Sequence, residues 1–250
     1  IDNALTAMAQ MRTHPRFDTD IPGEFRFRPT TDFHAAKDRP LMIVEGNPPS
    51  NSWPVYGGKS FDIWNCDTGI YFAHIDPEVA QSNLNKKRSR PNRRSAFFEM
   101  NEAWRGNPDT LPCLNPRVAF RDVTNRTNTR TTIATLLPPN VAITNKGPYL
   151  LRIRGDEFDE AYLLSVMSSI IFDWYSRRYV ELNLNFFILN PLPVPRPERD
   201  HPLRQRAIEI AGRLSAHDYR LEAWAKKVGV QCGEPDPVEK RNMIFELDAV

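Results

Sequence analysis

Apolar residues recur along this chain in two rhythms, one near four residues and one alternating. The four-residue rhythm is clearest between positions 156 and 180, where Tyr162, Leu163, Val166, Met167, Ile170, Ile171, Trp174 and Tyr175 form successive pairs. That spacing predicts one long helix with a wide apolar stripe. Asp156 stands where an N-cap belongs, with Glu157, Asp159 and Glu160 in the first turn and Arg177 and Arg178 in the last, as the helix dipole favours. Leu5, Met8, Ala9 and Met11 predict a second helix over 2–12, which Pro15 stops. Asp76 followed by Pro77 opens a third over 77–86, and alternating charge marks a fourth over 202–227.

Strands are predicted where β-branched or alternating residues cluster: EFRFR (24–28), LMIV (41–44), RVAFRDVT (117–124), TRTTIATLL (129–137), VAIT (141–144) and YLLRI (149–153). NRTN and NKGP make turns between them. The first half of LNLNFFILNPLPVPRP (182–197) reads as a strand and its second half as extended and proline-rich. Residues 45–60, with three prolines and three glycines, read as loop, and the tail from 229 as loosely held, with MIFEL (243–247) able to dock. Together these elements predict an α+β fold. A mixed, mostly antiparallel sheet packs against the long amphipathic helix, with further helices at both ends. The helix is then scaffold, and Trp174 belongs to the core.

Composition changes this picture little. At 250 residues, 40% hydrophobic and 26% charged, the chain holds one large domain with appendages. It carries 22 prolines against 11 glycines, which favours rigid turns and edges. No apolar run approaches the roughly 20 residues of a membrane span, and the opening IDNALTAMAQMR is amphipathic rather than a leader. Cys66, Cys113 and Cys232 are odd in number and far apart, so neither a disulfide framework nor a metal knuckle is expected. A reducing, cytoplasmic location is expected. The chain opens at Ile1 rather than Met, as expected of a piece of a longer polypeptide.

Motifs of catalysis are sparse. His14, His34, His74, His201 and His217 are scattered, and none forms a metal or nucleophile signature. GNPPS (46–50) contains the Asn-Pro-Pro of amino-methylating DNA methyltransferases, but Ser50 replaces the aromatic that would stack on a flipped base. No glycine-rich cofactor loop precedes it. The string is therefore read as a proline-rich loop, and no catalytic, cofactor-binding or metal-ligating residue is assigned.

Charge patterning points to nucleic acid. The net charge is only +2, so a basic surface must come from segregation. KKRSRPNRR (86–94) holds six cations and no acid: Lys86, Lys87, Arg88, Arg90, Arg93 and Arg94. Such a loop can track phosphates or simply be solvated. Arg117, Arg121, Arg126 and Arg130 recur through RVAFRDVTNRTNTRTT (117–132), concentrating Arg and Asn near one turn. Arg forks read guanine and Asn amides read adenine, though turn-forming Asn beside surface Arg has the same composition. Arg177, Arg178, Asn183 and Asn185 follow the long helix with the same ambiguity.

These segments in order resemble the C-terminal, TaqI-like target-recognition domain of large fused adenine methyltransferases, the type IIG restriction–modification and BREX-type phage-defence enzymes. The resemblance runs through FRFRPTTDF (25–33), SWPVYGGKSF (52–61, by Pro54, Tyr56, Gly58 and Lys59), the run beginning at Arg117 and AYLLSVMSSIIFDWYSRRYVELNLNFFILNPLPVP. It is collinear over residues 25–197. The family's Tyr-Glu-Gly-Lys is here Tyr56-Gly57-Gly58-Lys59. The resemblance implies a non-catalytic reader of double-stranded DNA. The S-adenosylmethionine-binding methyltransferase domain then lies upstream as its partner in the parent chain. It implies that residues 1–20 end a helical spacer, 21–200 form the recognition domain and 201–250 a helical extension. The residues expected at DNA are Lys59, Lys86, Lys87, Arg88, Arg90, Arg93, Arg94, Arg121, Asn125, Arg126, Asn128, Arg130, Lys146, Asn183 and Asn185. The competing expectation is a protein–protein adaptor of a defence complex, using the proline-rich 190–197 segment and the 202–227 helix.

Overall fold

The computed structural model describes residues 2–249. In chain order they form α1 (Asp2–Met11), β1 (Arg26–Thr30), β2 (Trp53–Tyr56), β3 (Ala73–Ile75), α2 (Pro77–Ser89), α3 (Glu102–Gly106), β4 (Arg117–Phe120) and β5 (Ala134–Leu137). After these come β6 (Ala142–Ile143), β7 (Tyr149–Arg154), α4 (Glu157–Ser168), α5 (Ile170–Ser176), α6 (Phe186–Leu189), α7 (Pro202–Ser215), α8 (Glu222–Val228) and α9 (Pro237–Ala249). The fold is α+β, as the patterning predicts, but the strands divide between two sheets.

The larger sheet is antiparallel in the order β1-β7-β4-β5. Its pleat sends Val118, Phe120, Ala134, Leu136 and Leu150 to one face, against α4, α5, α7 and α8, and Ala119, Leu137, Tyr149 and Leu151 to the other. On that second face they meet Tyr56, Phe61 and Phe97. The smaller sheet, β3-β2-β6, is antiparallel on one side of β2 and parallel on the other. It packs Val55, Ile75 and Ala142 against Ala80 and Leu84 of α2.

A buried ion pair joins the sheets. Arg117 Nη2 lies 2.9 Å from Asp32 Oδ2, which also accepts the Ile143 amide at 3.1 Å. The same guanidinium donates to the carbonyls of Pro112 and Val141 at 3.0 and 2.8 Å. Burial pushes the Asp32 carboxyl upward, and the positive charge of Arg117 opposes that shift.

Helix α4 starts as its sequence requires. Asp156 Oδ1 accepts the Asp159 amide and Asp159 Oδ2 accepts the Asp156 amide, both at 3.1 Å, a reciprocal capping box. Gly155 turns the chain at φ +120°, where a Cβ would sit 2.7 Å from Asp159 Oδ2 and 3.1 Å from Phe25 Cβ. The buried Asp159 then accepts from the buried Arg204 of α7 at 2.7 Å. That guanidinium lies over the Tyr162 ring at 4.9 Å, so α7 shares one core with α4 and the sheet.

Several elements differ from their expected form. The 156–180 helix breaks at Ser169, whose extended backbone (φ −69°, ψ 150°) ends α4 and whose Oγ accepts the Phe172 amide to start α5. Ile170 and Ile171 consequently face outward, while α4 is buried nearly all round. LMIV is no strand: Pro40 lies in a 3₁₀ turn (Arg39–Leu41) and only Ile43 pairs, in a single bridge to His74. Trp53–Tyr56, read as loop, is the central strand of the smaller sheet. The regular strand part of 117–124 ends at Phe120, and that of 129–137 starts at Ala134. The 182–197 segment forms no regular strand: it makes two isolated bridges, Asn183 to Val123 and Pro193 to Arg16, and Asn185 caps α6. The 202–227 helix is interrupted by a 3₁₀ turn (Tyr219–Leu221), and the tail forms α9. Among the described residues no helix is long and apolar enough to cross a membrane, and no group of three or more His, Cys, Asp or Glu could hold a metal ion.

Strands β4 and β7 pair only at Ala119↔Tyr149 and then part. The cleft between them holds a cavity of about 410 Å³, lined in part by Arg117, Arg152, Glu157, Glu160 and Trp224. Glu160 Oε2 accepts from Trp224 Nε1 at 2.8 Å, and Arg152 stands 3.5 Å from Oε1. Burial outweighs that cation and pushes the Glu160 carboxyl up to about 7.

Two predictions follow from these buried charges. Asp32→Ala strands the Arg117 guanidinium and costs about 3–5 kcal/mol in chemical denaturation, of which Asp32→Leu with Arg117→Met recovers most. For Glu160, the folded state holds its proton more tightly than the unfolded chain, whose carboxyl titrates near 4.5. Stability therefore declines as pH rises from about 4.5 through about 7, by up to about 3 kcal/mol. Glu160→Gln, which still accepts from Trp224, should flatten that part of the pH–stability curve.

Candidate nucleic-acid interface

Four loops meet at the end of the sheets where β4 finishes. The first is 121–133, whose ends are drawn together by Arg121 N–H to the Ile133 carbonyl at 2.9 Å. Its far side is clamped onto α5. Asp173 Oδ1 accepts the amides of Thr131 and Thr132, both at 2.7 Å, and Asp173 Oδ2 lies 2.8 Å from Arg177 Nη2. Arg177 in turn donates to the carbonyls of Arg126 and Thr129 at 3.0 and 2.9 Å. The clamp leaves Arg126 and Asn128 exposed at the loop tip. Asn125 Oδ1 accepts the Thr127 amide at 3.0 Å and shapes that tip as a local turn. Arg126, Arg177 and Arg178 line one cavity of about 390 Å³, and Arg178 lies over the Trp174 ring at 4.6 Å.

The other three loops are tied to the first. The Asp122 amide donates to the Lys146 carbonyl at 3.2 Å, bringing in the 144–147 turn. Gly58 packs so closely on that turn that a Cβ would sit 3.1 Å from the same carbonyl, so Lys59 stands beside Lys146. Arg121 Nε donates to the Phe61 carbonyl at 3.1 Å, and Asp62 lies 3.4 Å from its Nη2. The fourth loop arrives through Thr124 N–H to the Leu182 carbonyl (3.0 Å) and Leu184 N–H to the Asp122 carbonyl (2.7 Å).

The fold thus brings together Lys59, Arg121, Asn125, Arg126, Asn128, Arg130, Lys146, Asn183 and Asn185, but not in equivalent states. Lys59, Arg126, Asn128 and Lys146 are exposed with no side-chain partner among the described residues. Arg121 is held by Phe61 and Asp62. Arg130 turns inward and donates to the Ser168 carbonyl. Asn183 donates to Asp122 at 2.9 Å, and the Asn185 side chain is spent on capping α6, accepting the Ile188 amide at 3.1 Å.

The 86–94 run also differs from a simple loop. Lys86, Lys87 and Arg88 form the last turn of α2, where the helix dipole favours cations. Arg88 is almost fully buried. It donates to Asn85 and Thr110 at 2.9 Å each and to the Asn107 carbonyl at 2.6 Å, so it is structural rather than a surface charge. Lys87 binds the Asp32 carbonyl and Asp38. Lys86, Arg90, Arg93 and Arg94 are exposed. The segment 33–38 links this patch to the loop cluster, since the Ala35 amide donates to Asn145 Oδ1 at 2.8 Å. Asn47, Pro49 and Ser50 are exposed and Pro48 is half-buried.

No family model matches this chain, and no curated protein matches its sequence. Among solved structures it is similar to the type IIG restriction endonuclease BpuSI. The identity is 12% and the TM-score 0.49, with all of this chain and 33% of that one covered. The chain therefore spans about a third of the length of that neighbour.

Sequence reasoning left Arg177 and Arg178 out of the expected DNA contacts, although their place after the helix was visible. It missed the exposed side chains of Val123, Leu182 and Phe187 altogether. The available signal was Asn185 directly before FFIL, an N-cap that turns an apparent strand into a helix.

The Asp173 clamp is testable. Asp173→Ala removes the acceptor of two buried amides and the partner of Arg177, and should cost about 3 kcal/mol. Hydrogen exchange should accelerate at Thr131 and Thr132, while Asp173→Asn, which keeps one acceptor, should lose less.

Proposed function

We propose that this chain reads double-stranded DNA for a restriction–modification or phage-defence N6-adenine methyltransferase, and that it performs no chemistry of its own. The observation that supports this best is the loop cluster itself. Unpartnered Lys59, Arg126 and Lys146 share one end of the sheets with Arg177, Arg178 and amide side chains, on loops held rigid from beneath. Phosphate contacts from the lysines and arginines would set the register, and Asn128 and Arg126 at the loop tip would meet base edges. Arg90, Arg93 and Arg94 would extend the phosphate contacts along the duplex.

The collinear resemblance of residues 25–197 to target-recognition domains supports the rest of the proposal. On that reading, S-adenosylmethionine and the adenine-flipping pocket belong to a separate domain of the parent chain, which precedes this one. Asn47-Pro-Pro is followed by Ser50 rather than an aromatic, and no step is assigned to it.

A salt series on duplex binding tests the proposal. If four phosphates are neutralised, the logarithm of the association constant should fall with the logarithm of salt at a slope of roughly −3.6. Lys59→Gln and Lys146→Gln should each weaken binding and flatten the slope by about 0.9. A flat response to salt, or single-variant slopes equal to that of the unaltered chain, would sink it.

A further inference from the structure

The loop cluster carries an apolar feature that phosphate contacts do not explain. Phe187 is 86% exposed, Leu182 66% and Val123 51%. They lie on segments joined to one another: Val123 bridges Asn183, the Leu182 carbonyl accepts the Thr124 amide, and α6, which carries Phe187, follows directly. Water-exposed aromatic and aliphatic side chains grouped this way mark a contact surface.

Phe187 is exposed because its neighbours are anchored. Asn185 caps α6, the Phe186 ring meets the Phe120 ring edge-on at 6.4 Å, and Leu189 is fully buried. With 100° between successive helical residues, burying position 189 directs position 187, about 200° away, to the opposite side of the turn. The side chain therefore projects from a supported turn rather than from a slack loop, and little conformational freedom remains to be lost on contact.

The charge around it selects the partner. The same loop cluster carries Arg126, Arg177 and Arg178 beside α5, and Lys146 and Lys59 on the neighbouring turns. Its carboxylates are Asp173, paired with Arg177, Asp122, bonded to Asn183, Asp62, paired with Arg121, and the exposed Glu181 before Leu182. An apolar tip on a cation-bearing loop cluster suits a polyanion with apolar stacked faces between its charges. We infer that Phe187, flanked by Leu182 and Val123, is a wedge that inserts at a base step of duplex DNA. Inserting an apolar side chain partly unstacks the step and kinks the duplex. The wedge thereby favours easily unstacked pyrimidine–purine steps, adding selectivity without hydrogen bonds to bases. This inference rests on the DNA-reading proposal and deepens it.

The experiment uses a duplex selected from a random-sequence pool by the unaltered chain, resynthesised with 2-aminopurine at each position in turn. The expected result is a fluorescence increase confined to one or two adjacent positions on binding. Phe187→Ala should abolish that increase and weaken binding about tenfold, with its thermal unfolding unchanged because the side chain is exposed. Phe187→Leu should retain most of both. Arg126→Gln should weaken binding yet keep the increase at saturating protein. Normal affinity and an unchanged fluorescence pattern for Phe187→Ala would overturn the wedge while leaving DNA reading intact, and would assign the apolar patch to a protein partner. Failure of the unaltered chain to enrich any duplex would instead overturn the DNA-reading proposal, and the wedge with it.

Discussion

The architecture depends on one buried charge pair. Asp32 and Arg117 sit where the two sheets approach, and neither can be left alone without a cost of several kcal/mol. Asp32 is satisfied by Arg117 and by the Ile143 amide of β6. Arg117 is satisfied in addition by the carbonyls of Pro112 and Val141. Three chain segments distant in sequence, around 32, 112–117 and 141–143, must therefore converge on one point. That convergence places the start of β4 beside β6, and both run on into loops, 121–133 and 144–147, that meet through the Asp122 amide and the Lys146 carbonyl.

From there the surface follows by competition for charge. The chain has nearly equal numbers of cations and acids, and most of its structural pairs use arginine: Arg117 with Asp32, Arg204 with Asp159, Arg177 with Asp173. The planar, multi-donor guanidinium can satisfy a carboxylate and two carbonyls at once, which suits it to these interior positions. The cations that remain free at the loop cluster are those whose neighbours offer no acid. Arg177 shows how the two roles meet, since its pairing with Asp173 holds the loop whose tip presents Arg126.

Much of this was legible along the chain. The N-cap at Asp156 and strands β1, β4, β5 and β7 have local causes, namely hydrogen-bonding side chains at fixed spacing and alternation of apolar residues. The grouping of Arg and Asn near 121–130 was also visible. Which of them stay available was not. Arg88 lies in a run of cations that reads as solvated, but α2 and the 107–110 turn enclose it. Arg130 looks like its neighbours Arg121 and Arg126 until the α4–α5 junction supplies a carbonyl.

The same division holds for the helices. By itself the amino-acid order determined the α+β class, the start of α4, the helical and strand segments of its central half and the existence of a basic, amide-rich turn, because each arises from neighbours within a few residues. Tertiary structure alone decided that the long helix breaks at Ser169, that 53–56 is a central strand, that Asn183 and Asn185 are committed, and that Phe187 projects. Those outcomes depend on which distant group fills each hydrogen bond and which surface is already occupied, and neither is encoded in spacing along the chain.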